Sequence, residues 1–411
     1  MGQSARLPRV IEGKFFLFDG YEMSNTEEQK ADDALIGTVL DGHTISERLG
    51  GGETGLLYLA RDEGLRVDRV IKVLTPRMTK ARPSFVDRFV RAAQAVAQLG
   101  LPNVVRVFKV GEEDGNHYMI MEHVKGRSLK SMIEESGPME IEISVGIAKQ
   151  VLNALESAHR NDVVHRNLRP SAILLSERSD SDYQQLLESD KIRFSKVEEQ
   201  IPYEVKLGDL ELAKFSGDTI DTDRDFKTMV GEMLGTADYM APEQAQDAQS
   251  TDHRADIYAM GCVLYQMLIG KPPYEDKSGL QLMMKHMTAK IPNPKRERDD
   301  VPSGASNAIR KMLAKDPDDR YPSAAEAVEA LGRIRKPKKV AAVEPPKPEA
   351  APAPAPAEAG EAKLRIDDTA TEPAPEPAPA PAEAGEAKIR IDDTATEPAP
   401  EPAPAPAEAG E

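Results

Sequence analysis

Leu49-Gly50-Gly51-Gly52-Glu53-Thr54-Gly55 carries glycines at the G-x-G-x-x-G spacing. Glycines at that spacing let a backbone approach phosphate oxygens that any Cβ would hold away. Dinucleotide-binding folds share the spacing, so the flanks must decide. Ile45 lies before the run and Leu56, Leu57, Tyr58 and Leu59 follow it, all strand-like, so the glycines cap a hairpin rather than open a helix. Seventeen residues beyond Gly55 stands Lys72, inside Arg69-Val70-Ile71-Lys72-Val73-Leu74. A cation flanked by apolar residues on both sides is unlike a lysine on a solvated strand face. The two features together suit phosphate chemistry.

Three further runs turn this into a resemblance. His165-Arg166-Asn167-Leu168-Arg169-Pro170-Ser171-Ala172 parallels the catalytic loop H-R-D-L-x-x-x-N of protein kinases, with Asn167 in the aspartate place and Ala172 in the asparagine place. Lys206-Leu207-Gly208-Asp209-Leu210-Glu211 parallels the metal-binding Asp-Phe-Gly segment. Gly235 to Glu243, ending Ala241-Pro242-Glu243, parallels the substrate-side loop, and Arg320 is the expected partner of Glu243. The chain resembles the bacterial, eukaryotic-like serine/threonine protein kinases over roughly 300 residues.

The resemblance implies an α+β, bilobal protein-kinase fold with a small β-rich N-lobe and a mainly helical C-lobe. It implies ATP and Mg as cofactors. Gly50, Gly52, Gly55, Leu57, Val70, Lys72, Met121, Glu122, Val124 and Leu174 would meet the nucleotide, with Lys72 on the α- and β-phosphates and Met121 as gatekeeper. Asp209 would hold magnesium, and Glu211 is either a second metal carboxylate or a solvated side chain. The catalytic positions are Asn167, in place of the aspartate, and Arg169, in place of the loop's usual lysine. Where an adenine roof is usually alanine the chain has Val70. The helix over Phe85 to Leu99 carries Ala92 where a glutamate would pair with Lys72.

Those departures give a first expectation that leans away from an enzyme. The chain reads as a pseudokinase, a signalling scaffold or regulator that engages a protein partner. The alternative is a weakly active ATP-dependent serine/threonine kinase acting on a protein substrate. Arg166 is retained, so a phosphate on Thr219, Thr222 or Thr228 would have an arginine to order the activation segment.

The elements that must position these residues occupy one region. Residues 1–37 are a polar extension and 38–335 a kinase-like domain, with the N-lobe over about 38–124 and the C-lobe over about 125–335. An acidic, serine-rich insertion covers 176–205 and reads as a long loop beside the lobe hinge. Residues 336–411 have no aromatics and alternate Pro and Ala. There residues 358–382 recur as 383–407 with only Leu364 exchanged for Ile389. Two branched apolar residues per 25-residue unit cannot offset chain entropy of roughly 1–2 kcal/mol per ordered residue, so the expectation is a disordered tail that carries short linear motifs at most.

The net charge of −17 argues against nucleic acid, whose phosphates need clustered cations. No run reaches the length of apolar residues a membrane span needs. The single cysteine, Cys262, allows no internal disulfide and suits a cytoplasmic location.

Overall fold

The structure is a computed structural model, and it describes residues 35–335 apart from 53–54, 75–78, 80–82, 100, 102, 180–181, 190, 211–213, 216–236 and 247–250. The extension before residue 35 and the repeat tail lie outside the described residues.

Strand β1 (Val39–Leu40), β2 (His43–Gly52), β3 (Gly55–Asp62) and β4 (Val67–Val73) lead into helix α1 (Pro83–Leu99), followed by β5 (Val107–Glu113) and β6 (Asn116–Glu122). They form one antiparallel sheet in the order β1-β2-β3-β4-β6-β5. The period of two along a strand decides what each face holds. Ile71 and Val73 of β4 and Tyr118 and Ile120 of β6 pack into a cluster with Ile45, Leu56 and Tyr58. Val70 of β4 and Met119 and Met121 of β6 join the main core instead, and Lys72 shares their parity. The lysine is thereby aimed into the molecule.

The mainly helical lobe begins with β7 (Arg127–Ser128), α2 (Leu129–Ser136) and α3 (Ile141–His159). Ser128 caps α2, its side chain accepting from the Ser131 N–H, which satisfies one of the open donors of the first turn. Then come β8 (Val163–Val164), β9 (Ile173–Glu177), α4 (Tyr183–Glu188), α5 (Val197–Gln200), β10 (Tyr203–Leu207) and β11 (Lys214–Phe215). Strands β10, β9 and β7 make a small antiparallel sheet, and β11 pairs with β8.

Helices α6 (Pro242–Gln246), α7 (Arg254–Ile269), α8 (Gly279–Thr288), α9 (Pro294–Glu297), α10 (Ser303–Met312) and α11 (Ala324–Gly332) complete it. Helix α7 is apolar nearly all round and is buried along almost its whole length, the state such a sequence demands. It ends at Gly270, whose left-handed backbone (φ 88°) suits a residue without Cβ. Among the described residues no helix is long and apolar enough to cross a membrane.

The segment 176–205, an insertion in the sequence reading, carries α4, α5 and parts of β9 and β10. It is tied to α3 by polar side chains buried on that helix. Lys149 Nζ donates to the carbonyls of Phe194 (3.0 Å) and Ser195 (3.1 Å) and pairs with Glu198. Gln150 donates to Tyr203 O (2.8 Å) and accepts from Val205 N (2.9 Å). Tyr183 is buried and its hydroxyl donates to Glu140. Apolar patterning alone could not reveal this docking, because its anchors are a lysine and a glutamine inside a helix that reads as core.

Candidate active site

The glycine turn joins β2 to β3, as the flanking residues imply. Gly55 has φ of 133°, a region closed to side chains, and a Cβ there would stand 2.5 Å from Val73 O. The hairpin therefore lies directly over the end of β4. Gly50 and Gly52 pair with Leu57 and Gly55 across the hairpin.

The apolar residues predicted to meet the nucleotide (Leu57, Val70, Met121, Val124 and Leu174) are all buried and share the main core with Leu49. Leu57 and Met119 flank Lys72 across the sheet. Glu122 sits at the end of β6, where its N–H is donated to Arg106 O and its carboxylate meets Lys206 Nζ at 3.2 Å. Its backbone N–H is thereby committed within the protein.

Lys72 is 2% exposed, and its ammonium lies 3.6 Å from Asp209 Oδ1. The other oxygen of the same carboxylate, Oδ2, lies 3.5 Å from Arg169 Nη2. Burial pushes the Asp209 carboxyl up, but Lys72 and Arg169 outweigh it and hold the group below the ordinary aspartate value. It is an anion across the neutral range. Helix α1 contributes buried Ala92, Ala93 and Val96 on its inner face, and Ala93 and Val96 line an apolar hollow with Val105, Met119, Met121 and Leu210. Leu210 fills an apolar slot, as expected where the motif has phenylalanine. Glu211 falls outside the described residues, as do Thr219, Thr222 and Thr228.

The catalytic loop is held by Asp256, at the start of α7. Its Oδ2 accepts from His165 N (2.9 Å) and lies 2.8 Å from His159 Nε2, and its Oδ1 accepts from Arg166 N (2.8 Å). Burial raises this carboxyl, yet the contact with His159 and the backbone donors lower it further, and the net direction is down. These bonds secure Arg166 at φ of 63°, a left-handed conformation that costs a residue with Cβ on the order of 1 kcal/mol. Gln244 of α6 clamps the same residue from outside, donating to Arg166 O (2.9 Å).

His165, fully buried, joins the two halves of the site. Its Nε2 donates to Gly208 O (3.0 Å), so Nδ1 is left to accept from Asn167 N (3.3 Å). Asn167 is thus fixed one residue from the Asp256 clamp and joined through one imidazole to Gly208, the residue before Asp209. Ala172 is fully buried in a 3-10 turn (Pro170–Ala172), and its carbonyl accepts from Gly208 N (2.8 Å). It offers no side-chain ligand. On the substrate side, Arg320 and Glu243 form a two-pronged pair at 2.6 and 2.7 Å.

The sequence reading gave no role to Asp256, His165 or Gln244. For Asp256 a signal was present, since a lone acid beside Ala255 and Ile257 in an apolar helix must be paid for by partners. Gln244 carried none.

The arrangement suits the groups the resemblance implies. Apolar side chains are the lining a nucleotide's base takes, and Gly50, Gly51, Gly52 and Gly55 place no side chain between the backbone and phosphate oxygens. Among the described residues no three His, Cys, Asp or Glu side chains converge into a metal cage. A magnesium ion would therefore rest on Asp209 and on phosphate oxygens, the usual division for that ion.

The comparisons with known proteins agree with this geometry. A model described as protein kinase domain matches residues 43–331. Serine/threonine-protein kinase PrkC of Bacillus subtilis is 33% identical over 293 residues, covering 71% of this chain and 40% of that protein. Serine/threonine-protein kinase PknB of Mycolicibacterium smegmatis is 31% identical over 298 residues, covering 72% and 43%. The chain thus spans about two fifths of the length of the curated relatives it matches. The PknI kinase domain of Mycobacterium tuberculosis superposes with a TM-score of 0.53 at 22% identity, covering 72% of this chain and 96% of that one, a likeness of fold alone.

These findings correct the expectation that leaned away from an enzyme. The similar proteins are named as serine/threonine-protein kinases. Asn167, Ala172 and Ala92 stand as read, but the step from those residues to absence of activity is withdrawn. On the matched domain, the order of its motifs and the two lobes around the cleft, this chain belongs to the protein kinase domain family.

Proposed function

We propose that the chain transfers the terminal phosphoryl group of ATP to serine or threonine hydroxyls of a protein, at a rate below that of kinases with a complete catalytic loop. The observation that carries this reading is the buried pair of Lys72 and Asp209 at 3.6 Å, beneath the glycine hairpin and beside the apolar shell.

Each residue has a role. Val70, Met121, Val124 and Leu174 enclose the base and exclude water. The backbone of Gly50 to Gly55 lies along the phosphates, and Lys72 neutralises the α- and β-oxygens. Asp209 holds magnesium, which supplies charge neutralisation at the β- and γ-oxygens. Asn167 orients the attacking hydroxyl by accepting its hydrogen bond, but an amide cannot take up the proton at neutral pH. Loss of a general base costs about 10²–10⁴-fold. Phosphoryl transfer depends mainly on positioning and charge stabilisation, so the loss slows the reaction without ending it. A cytoplasmic setting agrees with the lone cysteine, which is buried with its thiol pushed up by burial.

The test is a phosphotransfer assay with the purified chain and a generic basic protein substrate. We expect slow magnesium-dependent labelling of serine or threonine, abolished by Asp209→Ala. Labelling that survives Asp209→Ala would show that another protein in the preparation is responsible.

A further inference from the structure

Asp209 is an unusual metal ligand because both its oxygens are already committed to cations. Lys72 lies on Oδ1 and Arg169 on Oδ2, at 3.6 and 3.5 Å, and the carboxylate itself is only 7% exposed. The residue that the loop pattern would use for a second magnesium ion is Ala172, fully buried and without a ligand atom. Arg169 immediately precedes the turn that holds Ala172, and its side chain is one quarter exposed, so it lies at the edge of the cleft. A guanidinium keeps its charge under all conditions and grips carboxylates and phosphates alike.

We propose that Arg169 is a built-in cation that takes the place of the second metal ion. Without nucleotide it occupies Asp209 and opposes entry of a free divalent ion. With nucleotide, phosphate oxygens compete for the guanidinium, and Asp209 is released to a single magnesium ion. The cleft then works with one divalent cation and one arginine where the family pattern uses two divalent cations beside a loop lysine. This deepens the kinase reading and rests on it for the role in transfer, but its first consequence is a binding property that needs no turnover.

The experiment is a titration of Mn²⁺ alone into the full chain, free ion being read by electron paramagnetic resonance. Removing a positive charge beside the ligand tightens Mn²⁺ binding on the order of tenfold in Arg169→Gln relative to wild type. Arg169→Lys, which keeps the charge, stays with the wild type, and Arg169→Gln combined with Asp209→Asn loses the gain. Equal uptake by wild type and Arg169→Gln, whether measurable or absent, overturns the proposal, and so does a gain in Arg169→Lys of the same size.

A second arm follows phosphotransfer against free Mg²⁺ at saturating Mg-ATP. The wild type shows no further activation by free Mg²⁺, and an activating phase overturns the proposal. Should the wild type transfer nothing, the kinase reading fails while the Mn²⁺ titration still decides the role of Arg169.

Discussion

On the proposed reading, Asn167 is the side chain on which the rate would depend most. It sits where a carboxylate would accept the hydroxyl's proton, held by the His165 imidazole through its own N–H. Restoring that carboxylate with Asn167→Asp should raise kcat by about 10²-fold or more, with KM for ATP little changed. An unchanged kcat would mean that the hydroxyl is deprotonated elsewhere or that another step limits turnover. Val70 tests the base pocket in the same way. On that reading its two extra methyl groups, relative to the usual alanine, would crowd the base, and overpacking costs roughly 1–3 kcal/mol. Val70→Ala should therefore lower KM for ATP without lowering kcat, a split visible in steady-state kinetics.

At the scale of elements, the two supports of the site are α7, through Asp256, and the pair of Arg320 with Glu243. Arg320 is nearly fully buried, so Arg320→Ala leaves Glu243 without its partner and should cost about 3–5 kcal/mol of unfolding free energy in a denaturant titration. A loss below about 1 kcal/mol would place the pair in a solvated setting. Much of this was legible beforehand. The glycine hairpin and the burial of Lys72 follow from the apolar residues that flank them, and the meeting of Glu243 with Arg320 from the resemblance to the family. What escaped were contacts made by polar side chains over long sequence separations. Asp256 reaches back about 90 residues to the loop it holds, and Lys149 reaches forward to Glu198. Periodicity reports which face is buried, not which buried polar group finds which partner. For that reason the 176–205 segment read as a loop although it is docked on α3.

For the whole molecule, the pairs that build the lower lobe also set its response to pH. His286 on α8 is buried against Tyr258 and Tyr274, with Lys315 nearby, and burial followed by that ammonium pushes its pKa down to about 3. The folded chain thus keeps His286 neutral while the unfolded chain protonates it near 6.5. Stability from this residue is complete above about pH 6.5 and falls as pH drops toward 3. Between pH 7 and pH 5 the loss should be ~2 kcal/mol. Thermal unfolding across that range should show a falling Tm in the wild type and a flatter profile in His286→Gln.

The claim beneath all of these is that the cleft beneath the glycine hairpin is a working one, run by Lys72 and Asp209. It is tested most directly by mapping phosphorylated residues by mass spectrometry after incubation with Mg-ATP, comparing wild type, Lys72→Met and Asn167→Asp. The account predicts phosphoserine or phosphothreonine with the wild type, more with Asn167→Asp, and none with Lys72→Met. Equal phosphorylation by wild type and Lys72→Met, or none by wild type and Asn167→Asp alike, would contradict it.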